Sequence, residues 1–303
     1  MSFRVTQQTM SRNVMIGLQD NLARLQRTQE QLSSGRRLNR PSDSPVDTVS
    51  AMQLRADQQR TEQFNRNIDD GLAWLGTADD TLTQAGDMLG RVRQLAVTGL
   101  NDTNGPSERN AMADELDQLR AGTISLANTQ YLGRSVFAGT VQTSGAFDPT
   151  TGVYAGNSSE INRAVSADAG SGVMAVNVPG DKVFGTLFAD ASDPAGKGIL
   201  ARLSAGLRAG DTTAVEAELS KLDAASEGIR SAHSTIGARY QRLQDVQQLG
   251  GKHADTLTSS LAQAESIDLP KTIIDLQLQQ TAYQAALGSA GKIIQPSLLD
   301  FLR

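Results

Sequence analysis

Only a handful of side chains in this 303-residue chain could take part in chemistry: two histidines, some adjacent carboxylate pairs and one lysine in a glycine-rich loop. His233 and His253 lie twenty residues apart on one predicted helix, about 30 Å along a straight axis, so they cannot share a metal ion within one chain. His233 also falls on an apolar seam, which predicts a packed or partly buried ring rather than a general base. Cysteine is absent, which excludes thiol catalysis and thiolate metal sites. Asp69-Asp70 and Asp79-Asp80 have the side chains of a general acid and base, but they fall in helical pattern where solvated faces account for them. Ala195-Gly196-Lys197-Gly198 echoes a phosphate-binding loop. That motif needs Gly where this chain has Ala191, and Ser or Thr where it has Gly198, so a loop ahead of Ile199 is the expectation. Trp74, beside Leu75, reads as packing. No catalytic residue, no cofactor and no metal site is expected, and the chain is read as a non-enzyme.

What the sequence specifies instead is helices in search of partners. Near the N-terminus Met15, Leu18, Leu22, Leu25, Gln29 and Leu32 fall at alternating steps of three and four, and near the C-terminus Ile273, Gln280, Tyr283, Leu287, Ala290 and Ile294 do much the same. This is the rhythm of a coiled-coil seam. Each stripe is too short and narrow to be stable alone in water, so each must meet another helix, in the opposite end of the chain or in another molecule.

Proline placement separates these ends from the middle. Pro41 and Pro45 interrupt the N-terminal side, with Ser42 or Asp43 as candidate helix cap, and Pro270 does the same on the other side. Between them 46–105 and 195–269 are free of proline. In the first block Ile68, Leu75, Leu82, Leu89 and Ala96 recur every seven residues, with Gly71, Ala78, Ala85 and Val92 three residues after each of the first four. In the second, a capping box of Thr213 and Glu216 opens a seam through Leu219, Leu222, Ser226, Ile229, His233, Ile236, Tyr240, Leu243, Gln247, Gly250, Ala254, Leu257 and Leu261. Pro106 can start a third helix at its first turn, with seam residues Met112, Leu116, Leu119, Thr123 and Leu126. Aromatics gather from 131 to 188 between turn signals at 148–152 and 178–181, which predicts a small β-rich insertion. The expected organisation is therefore a terminal helical domain of 1–40 plus 268–303, a central α-helical rod of 41–138 plus 196–267, and a β-rich outer domain of 139–195.

Net charge is -5 and the isoelectric point near 5.2, which does not favour nucleic acid. The first forty residues run the other way, with seven arginines against Asp20 and Glu30; a solvated helix face is the first reading and an anionic partner the second. No Sec-type signal is expected, since the longest apolar run in the first thirty residues is Val14 to Ile16. No stretch approaches the roughly 20 apolar residues of a membrane span, so no membrane insertion is expected.

Specific motifs point further. They are Arg4-Val5-Thr6-Gln7, the run from Gln31-Leu32-Ser33-Ser34-Gly35-Arg36-Arg37 to Leu38-Asn39-Arg40-Pro41-Ser42-Asp43, and Asn67-Ile68-Asp69 with Trp74-Leu75. Others are Leu126-Ala127-Asn128-Thr129-Gln130-Tyr131, Phe137-Ala138-Gly139-Thr140, Tyr283-Gln284-Ala285-Ala286-Leu287 and Gln295-Pro296-Ser297-Leu298-Leu299-Asp300-Phe301-Leu302. With these the chain resembles the flagellin-like family of flagellar hook-filament junction proteins. The family often has Asp-Asp-Pro where this chain has Asp43-Ser44-Pro45. The resemblance implies a mainly α, flagellin-like long-helix coiled-coil rod with a small β-rich inserted domain and terminal helices. It also implies a structural role at the distal end of the hook, outside the cell, after uncleaved export through the flagellar type III system, with which a chain lacking cysteine agrees. Implied partners are hook-associated protein 1, flagellin, further copies of itself in a ring, and a cytosolic export chaperone. The filament subunit, flagellin, is the alternative. The expected assembly surface is Leu18, Leu22, Leu25 and Leu32 with Tyr283, Leu287, Ile294, Leu298, Leu299 and Phe301, and the two ends are expected to become ordered on incorporation.

Overall fold

A computed structural model describes residues 7–101, 104–167, 172–190, 192–193 and 195–294. The elements in chain order are α1 (Gln7–Ser34), α2 (Pro45–Gly99), α3 (Pro106–Ala127), β1 (Gln130–Tyr131), β2 (Arg134–Ser135), β3 (Asn162–Ala164), β4 (Val173–Ala175), α4 (Gly180–Phe188), α5 (Ile199–Ala209), α6 (Thr212–Glu265) and α7 (Leu269–Ile294). They form two compact units: a terminal unit of Met1–Arg60 with Ala254–Arg303, and a central unit of Thr61–His253. The chain is mainly helical, as the periodicity requires.

The central unit is built on the two long heptad lines. In α2, Ile68, Leu75, Leu82 and Leu89 are at most 1% exposed, and Ala78, Ala85 and Val92 are sealed completely. Leu222, Ile229, Ile236 and Leu243 of α6 are at most 3% exposed at the same seven-residue interval. The small residues of α2 are required by close approach: a Cβ on Gly71 would sit 3.0 Å from Val176 Cγ1 and 3.1 Å from Leu243 Cδ1. α3 starts at Pro106, as its fixed φ favours, with Gly105 as cap. It packs against α5 and α4.

Three local expectations are corrected. α6 is capped by Asp211, whose Oδ1 accepts the Ala214 N–H at 3.0 Å, and not by the Thr213/Glu216 box. Asp is the stronger cap, and Gly210 (φ +66°) has just ended α5 in the left-handed region, which brings Asp211 to the start of α6. α2 is capped by Ser44, whose Oγ accepts the Asp47 N–H at 3.5 Å, rather than by Ser42 or Asp43. Within the inserted segment, β3 and β4 form an antiparallel pair, but Phe184 and Phe188 belong to the helix α4. Val183, Phe184, Leu187 and Phe188 recur at a spacing of four and make one buried helical face.

The aromatics make the core of that region. Phe147 stands edge-on to Phe188 at 5.1 Å between centroids and Phe137 edge-on to Phe184 at 5.2 Å. Tyr154 packs on Phe147 at 5.1 Å, and burial pushes its hydroxyl up to about 12. Polar contacts tie β3 to α2, where Asn67 Nδ2 donates to Ala164 O at 2.8 Å and Arg163 pairs with Asp70 at 2.8 Å, and tie α6 to α2, where Gln247 Nε2 donates to Asp69 Oδ1 at 2.7 Å. The antiparallel hairpin β1–β2 turns through Leu132 (φ +48°) and Gly133 (φ +76°), the pair of positive φ values that a type I′ turn requires.

Candidate assembly site

In the terminal unit α1 and α7 pack on each other, antiparallel. The inward positions of α1 are Val14, Leu18, Asn21, Leu25, Thr28 and Leu32; those of α7 are Thr272, Leu276, Gln279, Tyr283, Ala286 and Ala290. Thr28 Oγ1 lies 2.9 Å from Gln279 Oε1 in the middle of this seam and 3.1 Å from Arg24 O. A threonine only 7% exposed thus finds partners both within its helix and across to α7.

Leu18, Leu25, Leu32 and Tyr283 are half-buried along the seam. Leu22 and Leu287 stand outside it, 39% and 46% exposed. Ile294 closes α7 with its side chain outside the described residues, and Leu298, Leu299 and Phe301 also lie outside them. Further apolar surface flanks the seam: Met15 and Ile16 on α1 are 54% and 51% exposed, and Ile274 and Leu278 on α7 are 59% and 65% exposed. α7 is apolar over more of its circumference than one partner helix can cover.

The helix pair is fastened at one end by the Ser33-Ser34-Gly35-Arg36-Arg37 motif. Gly35 (φ +67°) ends α1 in the left-handed region. Arg36 then pairs with Ser266 as an antiparallel bridge, and Arg37 N–H donates to Glu265 O at 2.6 Å. Arg37 Nη2 also donates to Ala264 O at 2.8 Å and lies 2.9 Å from Asp47 Oδ2. Glu265, whose side chain is 9% exposed, receives Arg55 at 2.7 Å, with Arg36 at 4.0 Å. Asp43 Oδ2 accepts the N–H groups of Asn39 (3.1 Å) and Arg40 (2.8 Å), which shapes the turn before Pro45. Arg37 first, and the Ser44 hydroxyl second, hold the Asp47 carboxyl below the usual carboxylate range.

Sequence reasoning found the motif but missed Glu265, Arg55 and Asp47. Asp47 carried a signal as an acid in the first turn of a helix. Glu265 and Arg55 carried none, since the residues they join are far apart in the chain.

Elsewhere, His233 is 48% exposed, with Nε2 3.1 Å from Asp79 Oδ1 and 3.5 Å from Thr83 Oγ1. Of the packed or partly buried ring expected, the packed one is corrected: Ala232 takes the inward place on the seam, and the histidine ties α6 to α2 at the surface. Among the described residues no group of three or more His, Cys, Asp or Glu could hold a metal ion, and no helix is long and apolar enough to cross a membrane.

Comparison with known proteins gives a consistent picture. Residues 5–142 match the family model of the bacterial flagellin N-terminal helical region. Flagellar hook-associated protein 3 of Escherichia coli (strain K12) is 26% identical, over 93% of this chain and 94% of that protein. Flagellin of Bacillus subtilis (strain 168) is 25% identical, over 99% of this chain and 100% of that protein. In fold, the chain resembles the solved structure of FlgL from Bacillus cereus with a TM-score of 0.58 and 21% identity, over 69% of this chain and 99% of that one.

Proposed function

We infer that this chain, which belongs to the flagellin-like family, is a structural subunit of the bacterial flagellum at the junction between hook and filament. The observation that carries this is the end-to-end likeness to flagellar hook-associated protein 3, over 93% of this chain and 94% of that protein. Its work is assembly and not catalysis. Neighbouring subunits are hook-associated protein 1 on one side, flagellin on the other, and further copies of this chain within a ring. Contacts of this kind in a tube are heterologous, each subunit offering different surfaces to its neighbours.

The terminal domain, 1–40 plus 268–303, supplies the joining surface. Among the described residues of that surface, Leu22 and Leu287, beside the α1–α7 seam, are open to water in the single chain. The remaining parts are the central rod, 41–138 plus 196–267, and the inserted domain, 139–195. Exposed Ile274, Leu278 and Leu287 on α7 are what a cytosolic export chaperone covers before the chain leaves through the flagellar type III system for the distal end of the hook, outside the cell.

The test is a strain lacking this protein, complemented with wild type or with Leu22→Asp/Leu287→Asp. Hooks without filaments in the deletion strain and in the double variant are expected; full filaments without the protein would overturn the assignment. A second reading as filament subunit is favoured by the likeness to Bacillus subtilis flagellin, 25% identical over 99% of this chain. Self-polymerisation of purified protein into long filaments decides for it.

A further inference from the structure

α6 carries a consecutive glycine pair, Gly250-Gly251, well inside a 54-residue helix. Relative to alanine, glycine disfavours a helix interior by about fivefold, and adjacent glycines are places where long helices bend. Packing accounts for only one of the two. A Cβ on Gly250 would come within 2.7 Å of Asn65 Oδ1, whereas nothing lies within 4 Å of a Cβ built on Gly251.

The surroundings are soft as well. Beyond Leu243, which is fully buried, the inward positions of α6 pass through half-buried Val246, Gln247, Gly250 and Ala254 before reaching Leu257. On α2, Asn65 Oδ1 is buried without a hydrogen-bond partner, so the amide there opposes tight closure. Leu249, next to the pair, is 67% exposed and adds nothing to the seam. Few buried apolar contacts and an entropically loose backbone coincide over two turns of helix.

We propose that Gly250-Gly251 is a compliant joint in α6, at which the helix backbone opens locally without opening the core around Ile236 and Leu243. Hydrogen exchange on the full chain, read by mass spectrometry, tests it. Amides 248–255 should exchange at least about tenfold faster than amides 236–243. Gly251→Ala, for which there is room, should slow 248–255 about fivefold and leave 236–243 unchanged. Gly237→Ala, also in open space, serves as control and should leave 248–255 unchanged. Equal protection of the two segments, no response to Gly251→Ala, or an equal response of both segments to it would each overturn the joint, the last because it marks one uniform helix opening as a whole.

Discussion

Glu265 is the carboxylate on which the motif after α1 converges, and its neighbours define what its charge is for. With Arg55 at 2.7 Å and its own backbone carbonyl taken by Arg37, it holds the end of α6 to the segment after Gly35. Glu265→Gln keeps the shape and removes the charge, so a loss of up to about 1.5–3 kcal/mol is expected, the value of a hydrogen bond to a charged group. Faster hydrogen exchange confined to 35–37 and 264–268 would locate that loss. Asp190 behaves differently, because its anion is what the fold recognises. Hydrogen bonds from Ser192 and then Arg202 hold it at about 2, below an ordinary 3.8. The lowered value means that its contribution is present above pH 3.8 and disappears as pH falls toward about 2. Urea midpoints of the central unit measured across that window should fall less steeply for Asp190→Asn than for wild type.

At the scale of the element, the seam of α6 makes a sharp distinction between two adjacent residues. Ala232 is 8% exposed and His233 is a surface residue, so Ala232→Leu should overpack the interface at a cost of about 1–3 kcal/mol. His233→Leu loses only an exposed tie to Asp79, worth about 0–1 kcal/mol; chemical denaturation of both variants checks the order. The same one-residue distinction explains what the sequence made legible. Lines of large residues every seven positions, such as Leu18-Leu25-Leu32 and Leu222-Ile229-Ile236-Leu243, identify helix and inward face without help. The second line of each seam was harder to see, because Asn21, Thr28, Ala232 and Ala286 occupy it while bulkier Leu22, His233 and Leu287 stand one residue away. Close helix approach selects small and neutral side chains there, which a search for bulk passes over. From Ile68 to Ala96 of α2 both lines are apolar and uninterrupted, and both were readable. The α4 helix was hidden for another reason: aromatics and valines between turn signals suit strands as well as a short buried helix. The Glu265 cluster was out of reach because ion pairing leaves no periodic trace between distant segments.

For the whole molecule, the two compact units have different degrees of independence. The central unit holds the long buried heptad lines and the aromatic cluster, whereas the terminal unit relies on α1 and α7 covering one another. A chain truncated after Ile267 should therefore keep the melting transition of the central unit while amides of α1 approach the exchange rates of an unfolded peptide. Survival of protection in α1 would mean that α2 or α6 already suffices as its partner. The antiparallel bridge between Arg36 and Ser266 adds a matter of timing. Its two residues have α2 to α6 between them in the polypeptide, so the mate of α1 is translated only after all of those helices. On a ribosome the central unit can fold as soon as α6 emerges, but α1 must stay unpaired until α7 has been made. Any passage that admits the chain one end at a time imposes the same order, so closure of the terminal unit reports that both α1 and α7 have arrived.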